Sequence, residues 1–132
     1  MNLEYLRSFR PRLDWMDTVP FSLDTAQDLA RCLFPDRSVV IKYAKPRHAN
    51  NMRDRRTGAI TITIFDGSDS TYEIYLRESF NCSPKYQWGI LLHEFAHVRQ
   101  ELGTKMHGIE FKVALDSICD DLLFIGTEKL RI

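Results

Sequence analysis

The chain has 132 residues, of which 44% are hydrophobic and 27% are charged, fractions typical of a soluble globular protein. This length suits one domain of ordinary size and is too short for two independent cores. Lys and Arg together number 18, as do Asp and Glu. The balance excludes a strong net field that would draw the whole molecule to nucleic acid or to a membrane.

Cysteine usage and the N-terminal sequence indicate the compartment. Cys32, Cys82 and Cys119 are odd in number and far apart in sequence, which argues against a disulfide framework and against a zinc ribbon. The stretch MNLEYLRSFRPRLDWM lacks the apolar core of a signal peptide, and no apolar run approaches the ~20 residues that span a membrane. We therefore expect a cytoplasmic protein without a membrane partner.

The first part of the chain predicts two helices. Residues 2–9 can form a short helix that stops before Pro11. Ser22 can cap a second helix that runs to about Phe34, where Pro35 ends it. The apolar residues of this second helix recur at helical spacing, namely Leu23, Ala26, Ala30 and Leu33.

Three strands are predicted next. Residues 38–43 are rich in β-branched residues, and residues 59–65 alternate apolar side chains with Thr. Residues 66–70 have turn chemistry, and residues 71–77 alternate again, so these segments predict a hairpin.

The hydrophobic period changes after the hairpin and predicts two more helices. Ser83 and Pro84 can open a helix that continues to about Leu102, and Gly103 suits the position after its end. A further helix follows from about His107.

This order predicts an α+β domain in which a small three-stranded twisted sheet packs on helices. We expect one domain over residues 1–132, with a helical part over residues 1–36 and a core over residues 37–132.

The motif that carries chemistry is HEFAH at residues 93–97. His93 and His97 are four residues apart, so they lie on one face of a helix and can reach one ion. Glu94 is about 100° further round the helix, at a position that we expect to face solvent. Two His ligands with Glu as general base are the arrangement of zinc metallopeptidases. The competing interpretation is two partly exposed His residues beside a solvated Glu.

A catalytic zinc site needs a third protein ligand. His107 is the first choice, because the chain can turn at Gly103 and send the next helix back over the first. Glu110 lies one turn further on, and could ligate instead or hydrogen-bond a ligand imidazole. Glu101 continues the ridge of His97, but a straight helix places it about 12 Å along the axis from His93.

The two segments HEFAHVRQ and MHGIEFK together resemble SprT-like (Spartan-type) zinc metallopeptidases, over roughly residues 38–122. The resemblance implies a zinc-dependent endopeptidase in which His93, His97 and His107 bind Zn²⁺ and Glu94 is catalytic. Gly108 and Phe111 match the rest of the family's second motif. The chain differs from the family in having no Cys pair of a zinc ribbon after the last helix. The metzincin pattern fits poorly, since Gln100 and Gly103 stand where it needs Gly and His.

The segment over residues 42–56 is strongly basic. Against one acid, Asp54, it holds Lys42, Lys45, Arg47, Arg53, Arg55 and Arg56. Between two strands it should form a long exposed loop. Such a loop could hold the phosphates of DNA, or its charge could serve solubility alone.

Three functions are compatible with these features. The first is a zinc endopeptidase whose protein or peptide substrate lies along an edge strand, for which residues 71–77 are the candidate. The second is a zinc hydrolase that acts on a non-peptide substrate such as a nucleotide. The third is a non-catalytic nucleic-acid-binding module with structural zinc, in which a side chain fills the fourth position.

Three tyrosines precede the motif and offer hydroxyl groups to a tetrahedral oxyanion: Tyr72, Tyr75 and Tyr86. Packing in the sheet and at the helix start is the simpler interpretation of these residues.

Overall fold

The computed structural model describes residues 19–44, 59–66, 69–77, 84–100 and 107–128. The elements in these ranges are α1 (Leu23–Leu33), β1 (Ser38–Tyr43), β2 (Ala59–Asp66), β3 (Asp69–Leu76), α2 (Pro84–Arg99) and α3 (Ile109–Glu128). The α+β class is confirmed. The helix predicted over residues 2–9 lies outside the described residues. None of the described helices combines the length and the apolarity that crossing a bilayer requires.

The chain divides into two compact units. One is Phe21–Cys82, which holds α1 and the strands, and the other joins Met1–Pro20 to Ser83–Ile132 and holds α2 and α3. The prediction of a single domain over residues 1–132 stays a prediction.

Helix α1 begins and ends where its sequence predicts. The Ser22 hydroxyl accepts a hydrogen bond from the Thr25 backbone N–H at 3.1 Å, which satisfies one N–H group of the first turn. At the other end the Phe34 N–H donates to the Ala30 carbonyl at 2.9 Å, and Pro35 cannot continue the helix. The buried face consists of Ala26, Leu29, Ala30 and Leu33, whereas Leu23 is half-buried.

The three strands form one sheet in the order β1-β3-β2. Strands β2 and β3 pair antiparallel as far as Asp66 and Asp69, which confirms the predicted hairpin and extends both strands into its turn. Strand β1 runs parallel to β3, with Ser38 opposite Thr71. The prediction that residues 71–77 form an edge strand is wrong, because β3 pairs with a strand on each side.

Helix α1 packs against β1 and also bonds to its backbone. The Gln27 side-chain amide donates to the Val39 carbonyl at 2.7 Å, and its oxygen accepts from the Ile41 N–H at 3.1 Å. One side chain therefore satisfies a carbonyl and an N–H group two residues apart on β1.

Helices α2 and α3 pack against each other. Near the end of α2, Arg99 Nη1 donates to Ser117 Oγ at 3.0 Å and to Asp121 Oδ2 at 2.7 Å. Further back along α2, the fully buried Trp88 donates from Nε1 to the Val19 carbonyl at 3.0 Å. The Arg99 bonds therefore link α2 to α3, and the Trp88 bond links α2 to Val19.

Candidate metal centre

Two histidines interrupt the burial of α2. From Trp88 to Val98 every residue is buried except His93 and His97, which are half-buried. A helix that is apolar nearly all round has to be covered on most sides, so a polar pair in its middle needs a partner that satisfies it.

The third histidine comes from the turn before α3. His107 Nε2 lies 3.0 Å from His93 Nε2 and 3.1 Å from His97 Nε2, and the two helix nitrogens are 3.2 Å apart. These three residues form a group whose ligand atoms all lie within 4.8 Å of one another. The sequence placed His107 at about the start of the last helix, and the structure places it two residues before that helix.

The triangle of nitrogens cannot be held by hydrogen bonds alone. The ring nitrogen Nε2 offers either one N–H or one lone pair, so three mutual contacts cannot all be donor to acceptor. Three lone pairs that point to one centre suit a cation. Tetrahedral zinc, at about 2.0–2.1 Å from each nitrogen, would hold such nitrogens about 3.3 Å apart. The three histidines therefore lie close enough together to hold a metal ion.

His107 reaches the site through an unusual backbone conformation. Its φ is 60°, the only positive value for a non-glycine residue in the described part of the chain. For a residue other than Gly this conformation is unfavourable by about 1–2 kcal/mol, although His tolerates it better than most. The left-handed turn ends on Gly108 and starts α3, and it brings the His107 ring to His93 and His97.

The three histidines are kept neutral. Burial, followed by the charges of His97 and His107, lowers the pKa of His93 from 6.5 to about 3. Burial and the charge of His107 lower the pKa of His97 to about 4, while a hydrogen bond with the Gln100 side chain acts in the opposite direction. Burial also lowers the pKa of His107. A neutral imidazole is the form that binds metal, so the site is ready for an ion at pH 7.

The lowered pKa values predict how the chelator-treated protein responds to acid. Below pH 6.5 an unfolded histidine takes up a proton, whereas His93 and His97 in the folded chain stay neutral until about pH 4 or below. Stability is therefore full above pH 6.5 and is lost as the pH falls. Each histidine should lower the free energy of unfolding by at most about 1.4 kcal/mol per pH unit.

Urea unfolding of the chelator-treated protein between pH 7 and about pH 5 measures this slope, in a range where few carboxylates titrate. The His93→Gln/His97→Gln double variant is the matched control and should show a shallower slope. Equal slopes for both proteins would contradict the assignment of the pH dependence to these two residues.

Two residues that contact the histidines were not among the predicted site residues. Gln100 bonds to His97, and the Phe111 ring lies 4.8–4.9 Å from all three imidazoles, measured between ring centroids. Phe111 entered the prediction only as a match to the second motif of the SprT-like family. Gln100 follows His97 by three residues, which is one helical turn and was a usable signal.

Glu94 differs from its prediction. Its side chain is only 5% exposed, and among the described residues it is the one charged side chain that is buried. The expectation that it faces solvent is therefore wrong. The neighbouring side chains of α2 are themselves buried, which leaves no solvent-facing strip at that angle. Its carboxylate does not join the ligand atoms of the three histidines, in agreement with a role other than ligation.

The rivals of His107 do not join the group either. Glu110 lies in the first turn of α3 and is exposed, and it is not among the ligand atoms that lie within 4.8 Å of one another. Glu101 lies outside the described residues. Among the described residues, His107 is thus the candidate that the structure brings to His93 and His97.

Most of the predicted basic loop also lies outside the described residues. Lys45, Arg47, Arg53, Arg55 and Arg56 belong to that part. Lys42 is the exception: it is an exposed residue of β1, and its Nζ is 3.8 Å from the Glu73 carboxylate. Lys42 therefore has an acidic neighbour within its own sheet.

The tyrosines of β3 pack as predicted. Tyr72 and Tyr75 are buried, and the Tyr75 hydroxyl donates to Glu73 Oε2 at 2.7 Å. The side chain of Tyr86 is outside the described part.

Comparisons of the chain with protein-family models, with curated proteins and with solved structures found no match.

Proposed function

We propose that this protein is a zinc metallopeptidase in which His93, His97 and His107 hold the ion and Glu94 is the general base. The observation that carries the proposal is the convergence of three imidazole Nε2 atoms, which lie 3.0–3.2 Å from one another. A buried glutamate, Glu94, follows His93 directly on α2. His₂ sites with one further ligand and an adjacent Glu are typical of peptide-bond hydrolysis.

Neighbouring residues of α2 take the two roles of metal binding and proton transfer. His93 and His97 occupy one ridge of α2, and their lowered pKa values keep their lone pairs free for coordination. A zinc ion bound there would supply a nucleophile at neutral pH, because an open zinc site lowers the pKa of water to about 7. Glu94 would accept the proton of the attacking water and pass it to the leaving amine.

The ligand count supports a catalytic rather than a structural role. In the described ranges no fourth His, Cys, Asp or Glu joins the three histidines. Structural zinc sites are closed by four protein ligands, whereas catalytic sites keep one position for water or substrate. His107 is exposed, so the group is also reachable from solvent.

Removal and return of the metal test the proposal. After treatment with a chelator, the protein should lose cleavage of an unfolded protein substrate. About one zinc per chain should restore that cleavage. The assay is run with and without DNA, because the resemblance to SprT-like metallopeptidases makes DNA a candidate activator. Substrate incubated with zinc alone is the control.

Two other outcomes would replace the proposal. Phosphate release from a nucleoside triphosphate, without peptide cleavage, would make the protein a zinc hydrolase of another class. Stoichiometric zinc without either activity would indicate a non-catalytic module with structural zinc.

A further inference from the structure

Four aromatic rings form a compact cluster around the three nitrogens. The imidazole centroids of His93, His97 and His107 are 4.8–4.9 Å apart. The Phe111 centroid lies 4.9, 4.8 and 4.9 Å from them in the same order. All six separations are nearly equal, so the rings occupy the corners of an almost regular tetrahedron, with Phe111 as the one corner that cannot ligate.

This arrangement covers one face of the nitrogen triangle. In a tetrahedron with such edges, the Phe111 centroid stands about 4 Å from the plane of the three imidazole centroids. This is van der Waals contact distance. A fourth ligand on that side, about 2 Å beyond an ion held by the three nitrogens, would overlap the phenyl ring. With respect to Phe111, a fourth ligand would have to approach from the opposite face.

We propose that Phe111 is a positioning residue that restricts the metal to a single open coordination position, on the face of the triangle remote from its ring. This inference rests on the proposed function, since it assigns a side to the reactive position of the same site. The ring also packs against each imidazole at once, so its contacts fix the orientation of all three ligands together. Phe111 is 4% exposed, which keeps water from its side of the cluster.

The chemical consequence is a fixed coordination number. A shorter side chain would leave room for a second water, and the ion would then expand from four to five ligands. A hydrophobic layer around a metal site controls solvent access in this way, and changes next to the ligands typically alter metal affinity by about 10–100-fold. The phenyl ring would therefore leave the ion one open position, with room for a single water.

Cobalt(II) binding to the purified full chain tests the proposal without any activity assay. Wild-type protein should give the intense visible absorption of four-coordinate Co(II), because geometry is diagnostic for this ion. Phe111→Leu should give the weak bands of five or six ligands and bind Co(II) about 10-fold or more weakly. Phe111→Met, with a longer and adaptable apolar chain, is run in parallel in case the Leu variant is too unstable.

Leu115→Ala is the matched control. Leu115 is fully buried one turn further along α3, so this variant lowers stability by a core cavity and should leave the Co(II) spectrum unchanged. A wild-type spectrum and affinity in both Phe111 variants would overturn the inference, as would the same spectral change in Leu115→Ala. Failure of wild-type protein to bind Co(II) or zinc would instead overturn the proposed function.

Discussion

Replacement of Glu94 by Gln is expected to leave the metal in place and to remove hydrolysis. Glutamine has nearly the same shape as glutamate, so the buried position stays filled and hydrogen bonds to the oxygen can persist. The amide cannot accept a proton at neutral pH. Loss of a general base typically lowers the rate by about 10²–10⁴-fold.

The experiment measures zinc per chain, melting temperature and cleavage of an unfolded protein substrate on one preparation. Because Glu94 is 5% exposed, the stability measurement is needed beside the activity, since a buried acid can also support the fold. Asp116→Asn, which removes one exposed carboxylate from α3, should retain activity. If Glu94→Gln cleaved the substrate as fast as wild type, the assigned mechanism would be wrong.

Replacement of His107 by Asn is expected to weaken zinc binding by about 10²–10⁴-fold, because the roughly 10–16 kcal/mol of a tight zinc site is shared among three protein ligands. Asn is chosen because it tolerates the left-handed conformation that the residue at this position adopts. The variant therefore removes the imidazole while it preserves the turn. Competition with a chromogenic chelator measures the affinity.

Glu110→Ala is the companion variant. It should weaken zinc binding by about 10–100-fold at most, the range for a group that acts on a ligand from outside the coordination sphere. The reverse order, with Glu110→Ala losing the metal and His107→Asn keeping it, would exchange the two residues as ligands. Similar large losses in both variants would mean that the site needs both groups.

The sequence predicted the parts of the site that depend on one helix. His93 and His97 share a face because of the helical repeat alone, and the Ser22 cap depends only on its own first turn. The sequence could only rank His107 above Glu110 and Glu101 as the third ligand, because no local rule fixes the path of a turn. Its left-handed conformation is one that a sequence pattern does not predict for a residue other than glycine.

The predictions that failed concern contacts between segments far apart in sequence. Alternation of apolar residues identifies β3 as a strand, but it does not say which strands lie beside it, and β3 is central. The burial of Glu94 depends on what covers that side of α2, and the position of Phe111 over three imidazoles depends on the register of α2 and α3. Neither feature follows from periodicity.

Gln27 has a consequence for self-association. The backbone of an outer strand is a template on which another chain can add a strand, and proteins protect such edges from aggregation. The Gln27 amide presents one donor and one acceptor to β1, as an added strand would. An incoming chain would first have to break both bonds and leave a half-buried amide without partners. Helix α1 therefore protects β1 from intermolecular strand pairing.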